Sequence, residues 1–179
     1  SAFKTISKYI KKNDIVFLES TVFPGTTEEI CKKIIKKKKI KFHIGYSSER
    51  INPGDKIHDI KKISKVVSIK NDKNIIPTVK KVYSCISKKI VFSENIKEAE
   101  LSKLTENTQR DLNIALMNEI MVLCHKTNLN FNEVIRLARS KWNFLKFSPG
   151  LVGGHCLPVD PYYLSFYANK FKFKTKVTL

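Results

Sequence analysis

The sequence contains no apolar run near the roughly 18 residues that a membrane-crossing helix requires, and its opening residues do not read as a secretory leader. A soluble, cytoplasmic chain without a membrane partner is the expectation. Cysteine is sparse and scattered: Cys31, Cys85, Cys124 and Cys156 form no CxxC pair and match no zinc spacing, so no metal site is expected. A cytosolic setting also disfavours disulfides. Arginine is scarcer still. Of 34 Lys and Arg residues only Arg50, Arg110, Arg136 and Arg139 are arginine, although the net charge is +18. Nucleic-acid interfaces favour the planar guanidinium fork, so the lysine excess reads as surface composition and nucleic acid is not expected as a partner. A basic module for polyanions is the distant alternative. Finally, the six glycines (Gly25, Gly45, Gly54, Gly150, Gly153 and Gly154) never fall into the GxGxxG turn that opens a dinucleotide-binding fold.

What is present belongs to a globular protein: 179 residues, 42% hydrophobic and 28% charged. Ile15-Val16-Phe17-Leu18 is a short continuous apolar run, as in a parallel strand covered on both faces. Pro24-Gly25 ends it, and Thr26 and Glu29 have the spacing of a capping box for a helix running to about Lys37. Further strands are expected at Phe42–Tyr46, Val66–Ile69 and Ile90–Phe92, with a helix near Ile75–Ile86. This alternation predicts an α/β fold, the back half of a Rossmann-like parallel sheet whose front half is absent. From Lys97 to Thr127 there is neither Gly nor Pro, and apolar residues recur with helical period, so a long amphipathic helix is expected. A second helix begins at Asn130 and Glu133. A third opens at Asp160-Pro161, with Asp as its cap and Pro at the first helical position. The division falls near Ser93–Lys97, giving domains 1–95 and 96–179.

Three groups of residues could carry chemistry, and each has an ordinary alternative. Pro149 to Pro161 contains three glycines, then Cys156 just before a helix N-terminus, where the dipole favours thiolate, and Asp160 one turn beyond. The alternative is a flexible loop with a buried thiol and a simple cap. The other three cysteines lie in apolar, helix-like surroundings and read as buried side chains. Lys103 and Asn107 are four residues apart on the long helix and share a face with Asp111. They could stabilise a developing oxyanion, or they could form a solvated face. Ser20-Thr21-Val22 and Tyr46 to Arg50 follow successive strands, at the edge where open α/β sheets bind ligands, unless they are merely polar loops.

Together these segments resemble the nucleotide-sugar 6-dehydrogenases, the UDP-glucose/GDP-mannose dehydrogenase family. The resemblance rests on Glu19 to Thr27, Gly45 to Asp55, Glu106 to Glu119, and Lys141 to Phe144 continuing through Gly153-Gly154-His155-Cys156 to Leu164. His155, Val159 and Pro53 depart from the UDP-glucose branch and are similar to the branch acting on UDP-N-acetylhexosamines (UDP-GlcNAc, UDP-GalNAc or UDP-ManNAc). The resemblance implies oxidation of the sugar C6 alcohol to the uronate with NAD, for surface polysaccharide precursors. It implies Cys156 as nucleophile, Lys103 and Asn107 as stabilisers of negative oxygen, and Asp160 and Glu49 in proton transfer. Ser20, Thr21 and Val22 would lie against the cofactor. Glu49, Arg50, Lys103, Asn107, Phe147, Gly150 and Gly153 would meet the nucleotide sugar. The helix over 97–127 would form a homodimer. The same resemblance implies a fragment without the Gly-rich NAD turn and the UDP-binding C-terminal domain. The alternative is then a truncated remnant or dimerisation module, unable to turn over alone.

Overall fold

The computed structural model describes residues 2–178 except 37–38, 52–54, 56, 58, 71–73 and 153–157. Two compact units are present, Ser1–Leu104 and Thr105–Leu179.

In the first unit the chain runs α1 (Ala2–Tyr9), β1 (Ile15–Leu18), a π-helical segment (Thr26–Cys31) leading into α2 (Lys32–Lys36), β2 (His43–Ser47), β3 (Lys65–Ile69), α3 (Ile76–Ser84), β4 (Ile90–Ser93) and the start of α4 (Ile96–Lys126). The four strands lie in the order β1-β2-β3-β4. Side chains alternate across the sheet, so each face has its own core. On one face Phe3 and Ile10 from the α1 region pack with Cys31, Ile35 and Ile44, and Tyr46 and Val66 pack with Ile96 and Ala99 of α4. On the other face Val67 and Ile69 pack with Val79 and Tyr83 of α3. This explains why the first turns of α4 belong with the sheet: Ile96 and Ala99 seal one of its faces.

The expected α/β fold with a parallel sheet is present, with one correction to the strand pairing. β1 pairs with β2 in parallel and β3 with β4 in parallel, but β2 and β3 are antiparallel, with Gly45 opposite Ile69 and Ser47 opposite Val67. The physical reason lies in the connection. A parallel return needs a crossover, normally a helix, and no helix separates Ser47 from Lys65 among the described residues. The chain turns back instead. The carboxyl ends of β1 and β2 therefore share an edge with the amino ends of β3 and β4.

Among the described glycines, neighbours crowd closest at Gly45. A Cβ built there would lie 2.4 Å from Cε1 of Phe17 and 2.7 Å from the Ser68 carbonyl oxygen. The absent side chain lets the Phe17 ring cross the strand and meet Tyr83 edge-on, centroids 5.1 Å apart.

The capping box is not formed. Gly25 (φ 94°) precedes the π-helical segment, no side chain caps it, and the Thr26 hydroxyl donates to the Phe23 carbonyl. The orphan amides are met from a distance, by Glu100. Helix α1 was not anticipated, although Phe3, Ile6 and Ile10 form an apolar stripe that could have announced it.

The second unit contains the rest of α4, α5 (Phe131–Ala138) and α6 (Asp160–Asn169). Asn130 caps α5 as expected, its side chain accepting from the amides of Asn132 and Glu133 at 3.0 and 3.3 Å. Asp160 is not the cap of α6. It is the first helical residue, after Val159, and no side chain caps that end. Cys31 and Cys124 are buried, but Cys85 is exposed, because it follows the last turn of α3 rather than facing the core.

Candidate active site

The first unit concentrates charged and hydroxyl groups at the shared edge of the sheet. Glu19 directly follows β1, and Glu49 lies two residues beyond β2. Lys65, the first residue of β3, reaches both: its Nζ is 3.5 Å from Oε2 of Glu19 and 3.3 Å from Oε2 of Glu49. The lysine side chain is only 6% exposed, whereas both carboxylates are roughly half exposed. The other oxygen of Glu49 accepts the amides of Arg50 and Ile51 at 2.6 and 2.8 Å. Burial alone would raise the Glu49 pKa. These two amides and the Lys65 ammonium outweigh that and hold it below the usual carboxylate range. Tyr83 donates its hydroxyl to Glu19 at 2.7 Å, and its phenol is pushed far up, first by burial and then by that carboxylate. Arg50 turns aside, its Nη1 donating to the Ser64 carbonyl at 3.0 Å.

The expected cofactor segment lies at the same edge. Ser20 is exposed, while Thr21 and Val22 are half-buried, Val22 packing against the cluster around Tyr46 and Val66. The loop that carries them is fixed by a residue not singled out beforehand. Glu100 is fully buried, and its carboxylate accepts the Gly25 amide at 2.5 Å, the Thr27 amide at 2.9 Å and the Thr27 hydroxyl at 2.7 Å. Burial raises its pKa against the opposing pull of those hydrogen bonds, and it in turn helps raise the thiol of Cys31, itself raised mainly by burial. Helical spacing could have revealed Glu100: it shares a stripe with Ile96 and Lys103. Lys103 is also buried.

In the second unit the Asn107 side-chain amide donates to Oδ2 of Asp160 at 2.5 Å, and Asp160 is 1% exposed. Two of the expected residues are thus in direct contact. Gly150 is gripped by Asn118, whose side-chain amide donates to the Gly150 carbonyl and whose oxygen accepts the Gly150 amide, each at 2.9 Å. Arg139 donates to the Phe147 carbonyl at 3.3 Å, anchoring the segment before it. Cys156 and Gly153 lie outside the described residues. Among the described residues, no cluster of three or more His, Cys, Asp or Glu side chains could hold a metal ion, and no helix is long and apolar enough to cross a membrane.

Taken separately, the sheet edge offers an ionised carboxylate beside a buried ammonium, and the helical unit offers a buried carboxylate oriented by an amide. Three segments had no ready sequence signal. Lys65 is one lysine among many, Asn118 one asparagine among many, and the partnership of Glu19 with Tyr83 depends on tertiary packing.

Comparison with known proteins gives these residues a context. Residues 1–87 match the NAD binding domain of the UDP-glucose/GDP-mannose dehydrogenase family, and residues 97–179 match its central domain. The chain is 46% identical to Protein CapL of Staphylococcus aureus and 45% identical to a UDP-N-acetyl-D-glucosamine 6-dehydrogenase of Salmonella typhi, in each case over 99% of this chain and 43% of the relative. Among solved structures, a UDP-D-ManNAc dehydrogenase from Pyrococcus horikoshii matches with a TM-score of 0.86 at 32% identity, over 99% of this chain and 43% of that one. The chain thus spans less than half the length of these relatives.

Proposed function

The chain belongs to the UDP-glucose/GDP-mannose dehydrogenase family, and on that premise we propose that it carries catalytic residues for NAD-dependent oxidation of the C6 alcohol of a UDP-N-acetylhexosamine to the uronate. The observation that carries the substrate class is the 45% identity, along 99% of the chain, to a relative named for UDP-N-acetyl-D-glucosamine. Residues 1–95 then form part of the NAD-binding domain and 96–179 the central domain.

The sheet edge fits a polar cofactor. Ser48, at the carboxyl end of β2, has a buried hydroxyl without a hydrogen-bond partner among the described residues, an orphan that a bound polar group would satisfy. Ser20, Thr21 and Val22 would hold NAD there. NAD⁺ would supply the hydride acceptor there, one molecule for each of the two oxidations.

The roles of the chain's own residues follow from their chemistry. Lys103 and Asn107 stabilise negative charge on the C6 oxygen. The Cys156 thiolate adds to the aldehyde left by the first oxidation and retains it as a thiohemiacetal, which the second oxidation converts to a thioester. Water then adds to the thioester carbon, Glu49 takes its proton, the carbon–sulfur bond breaks and the thiolate leaves. Asp160, oriented by Asn107, positions water. Arg50, Phe147, Gly150 and Gly153 contact the nucleotide sugar, with Asn118 and Arg139 shaping the segment that contains Gly150 and Phe147. Exposed Leu116, Val122 and Leu123 on α4 support a homodimer through this helix. A cytoplasmic location, where NAD and nucleotide sugars are available, and a role in surface polysaccharide precursors complete the proposal.

The test is stoichiometry in the protein that contains this chain. The expected result is two NADH per UDP-N-acetylhexosamine consumed, loss of uronate with Cys156→Ser, and little reaction with UDP-glucose. A preference for UDP-glucose overturns the substrate class. Coverage of only 43% of the relatives favours a second reading, in which these 179 residues alone do not turn over. NADH formation by the isolated chain overturns that one.

A further inference from the structure

Lys65 and Lys103 are the buried lysines among the described residues, and Lys65 lies at the edge of the sheet. A buried ammonium is costly unless paired, and this one has two anions within reach. The antiparallel return places it there: Lys65 begins β3, beside the carboxyl ends of β1 and β2. Its amide is also tied down, donating to the Lys89 carbonyl at 2.9 Å, so the base of the side chain is fixed by β-sheet geometry.

We propose that Lys65 is a positioning residue of the active site, its ammonium bridging Glu19 and Glu49 and holding the Glu49 carboxylate in place to accept a proton. The proposal rests on the reading of Glu49 as the proton acceptor in hydrolysis, and adds the device that keeps it ready. Among the described residues, these groups stand near Glu49. From β3 comes Lys65; from the end of β1, across the ammonium, comes Glu19. Tyr83 of α3 remains neutral and directs its hydroxyl to Glu19. On the same loop, Arg50 donates from Nη1 to the Ser64 carbonyl.

Glu19 makes this more than a simple ion pair. Two carboxylates share one ammonium, so each draws on the charge that stabilises the other. Removing either partner therefore moves Glu49 in opposite directions. Without Lys65 the carboxylate loses its cation and becomes harder to ionise. Without the charge of Glu19, the ammonium serves Glu49 alone and ionisation becomes easier.

The experiment is an NMR titration of carboxyl-labelled glutamate in the full chain, with Glu49 assigned by the resonance that Glu49→Gln removes. Lys65→Met is expected to raise the Glu49 midpoint by about one pH unit or more, and Lys65→Arg to restore most of it. Glu19→Gln is expected to lower it. An unchanged midpoint in folded Lys65→Met overturns the proposal. If that variant fails to fold, an unchanged or raised midpoint in Glu19→Gln overturns it instead. The titration needs no turnover. Should the midpoints move as expected while Glu49→Gln retains full activity in the protein containing this chain, Lys65 does hold Glu49, and the assignment of Glu49 to hydrolysis is what fails.

Discussion

The side-chain amide of Asn107 donates to the carboxylate of Asp160 across 53 residues of chain. The contact joins the middle of α4 to the first residue of α6 and buries the carboxylate almost completely. Asn107→Ala removes a donor from a buried anion and is expected to cost about 1–3 kcal/mol of stability, read from urea denaturation. Asn107→Asp is the sharper variant. It places two carboxylates in contact, so its deficit should be largest at neutral pH and shrink when one carboxyl is protonated in acid. A deficit independent of pH would show that the contact contributes little.

Glu100 meets three donors at once, the amides of Gly25 and Thr27 and the Thr27 hydroxyl. Glu100→Gln keeps one acceptor but presents an amide N–H toward a backbone N–H, while Glu100→Leu keeps none. The expected order of stability is wild type, then Gln, then Leu, with the first step about 1–3 kcal/mol. Hydrogen exchange at Gly25 and Thr27 should accelerate in the same order.

Gly45→Ala introduces a methyl where Phe17 and the Ser68 carbonyl already stand. Overpacking of this kind costs about 1–3 kcal/mol. Pairing it with Phe17→Leu should recover only part of the loss, because the carbonyl belongs to the neighbouring strand and cannot withdraw. Complete recovery in the double variant, measured by thermal denaturation, would mean that the ring is the sole obstacle.

Glu49 carries an acid-side signature. Its folded pKa is depressed below the ordinary value of 4.5, so its contribution to stability is present above that value and is lost as pH falls through the lower folded one. The difference in urea midpoint between wild type and Glu49→Gln, present at neutral pH, should therefore shrink as pH falls below the ordinary carboxylate value.

The thiols offer a test of reactivity. Cys31 and Cys124 are buried, and burial raises the Cys31 pKa, whereas Cys85 is exposed. Iodoacetamide should label Cys156 first and Cys85 next, leaving Cys31 and Cys124 protected until the chain unfolds. Cys85 reacting ahead of Cys156 would contradict an activated thiolate at position 156.

Features set by neighbouring residues were readable from the chain. The absence of Gly and Pro between Lys97 and Thr127 announced α4, and Asn130 with Glu133 announced the start of α5. The contacting pair Asn107 and Asp160 was also marked as functional. Features set by distant residues were not readable. Thr26 and Glu29 have the spacing of a capping box, but Glu100 supplies the acceptor from far along the chain. Val66 to Ile69 is equally apolar in a parallel or an antiparallel strand, because β3 is buried on both faces, so its direction left no mark in the pattern. Lys65 owes its importance to that direction, and for the same reason could not be told from the lysines around it.

The reversal between β2 and β3 also bears on how this edge can change over time. Lys65 is set by a strand whose register is fixed at Ser47 opposite Val67, while Glu49 stands two residues past β2 and is also held by the amides of Arg50 and Ile51. Insertions or deletions beyond Ile51 leave the paired strands where they are, because each doubling of loop length costs only about 0.6 kcal/mol. The separation of the acid from its cation therefore depends on β2, β3 and residues 49–51, and not on the length of chain beyond them.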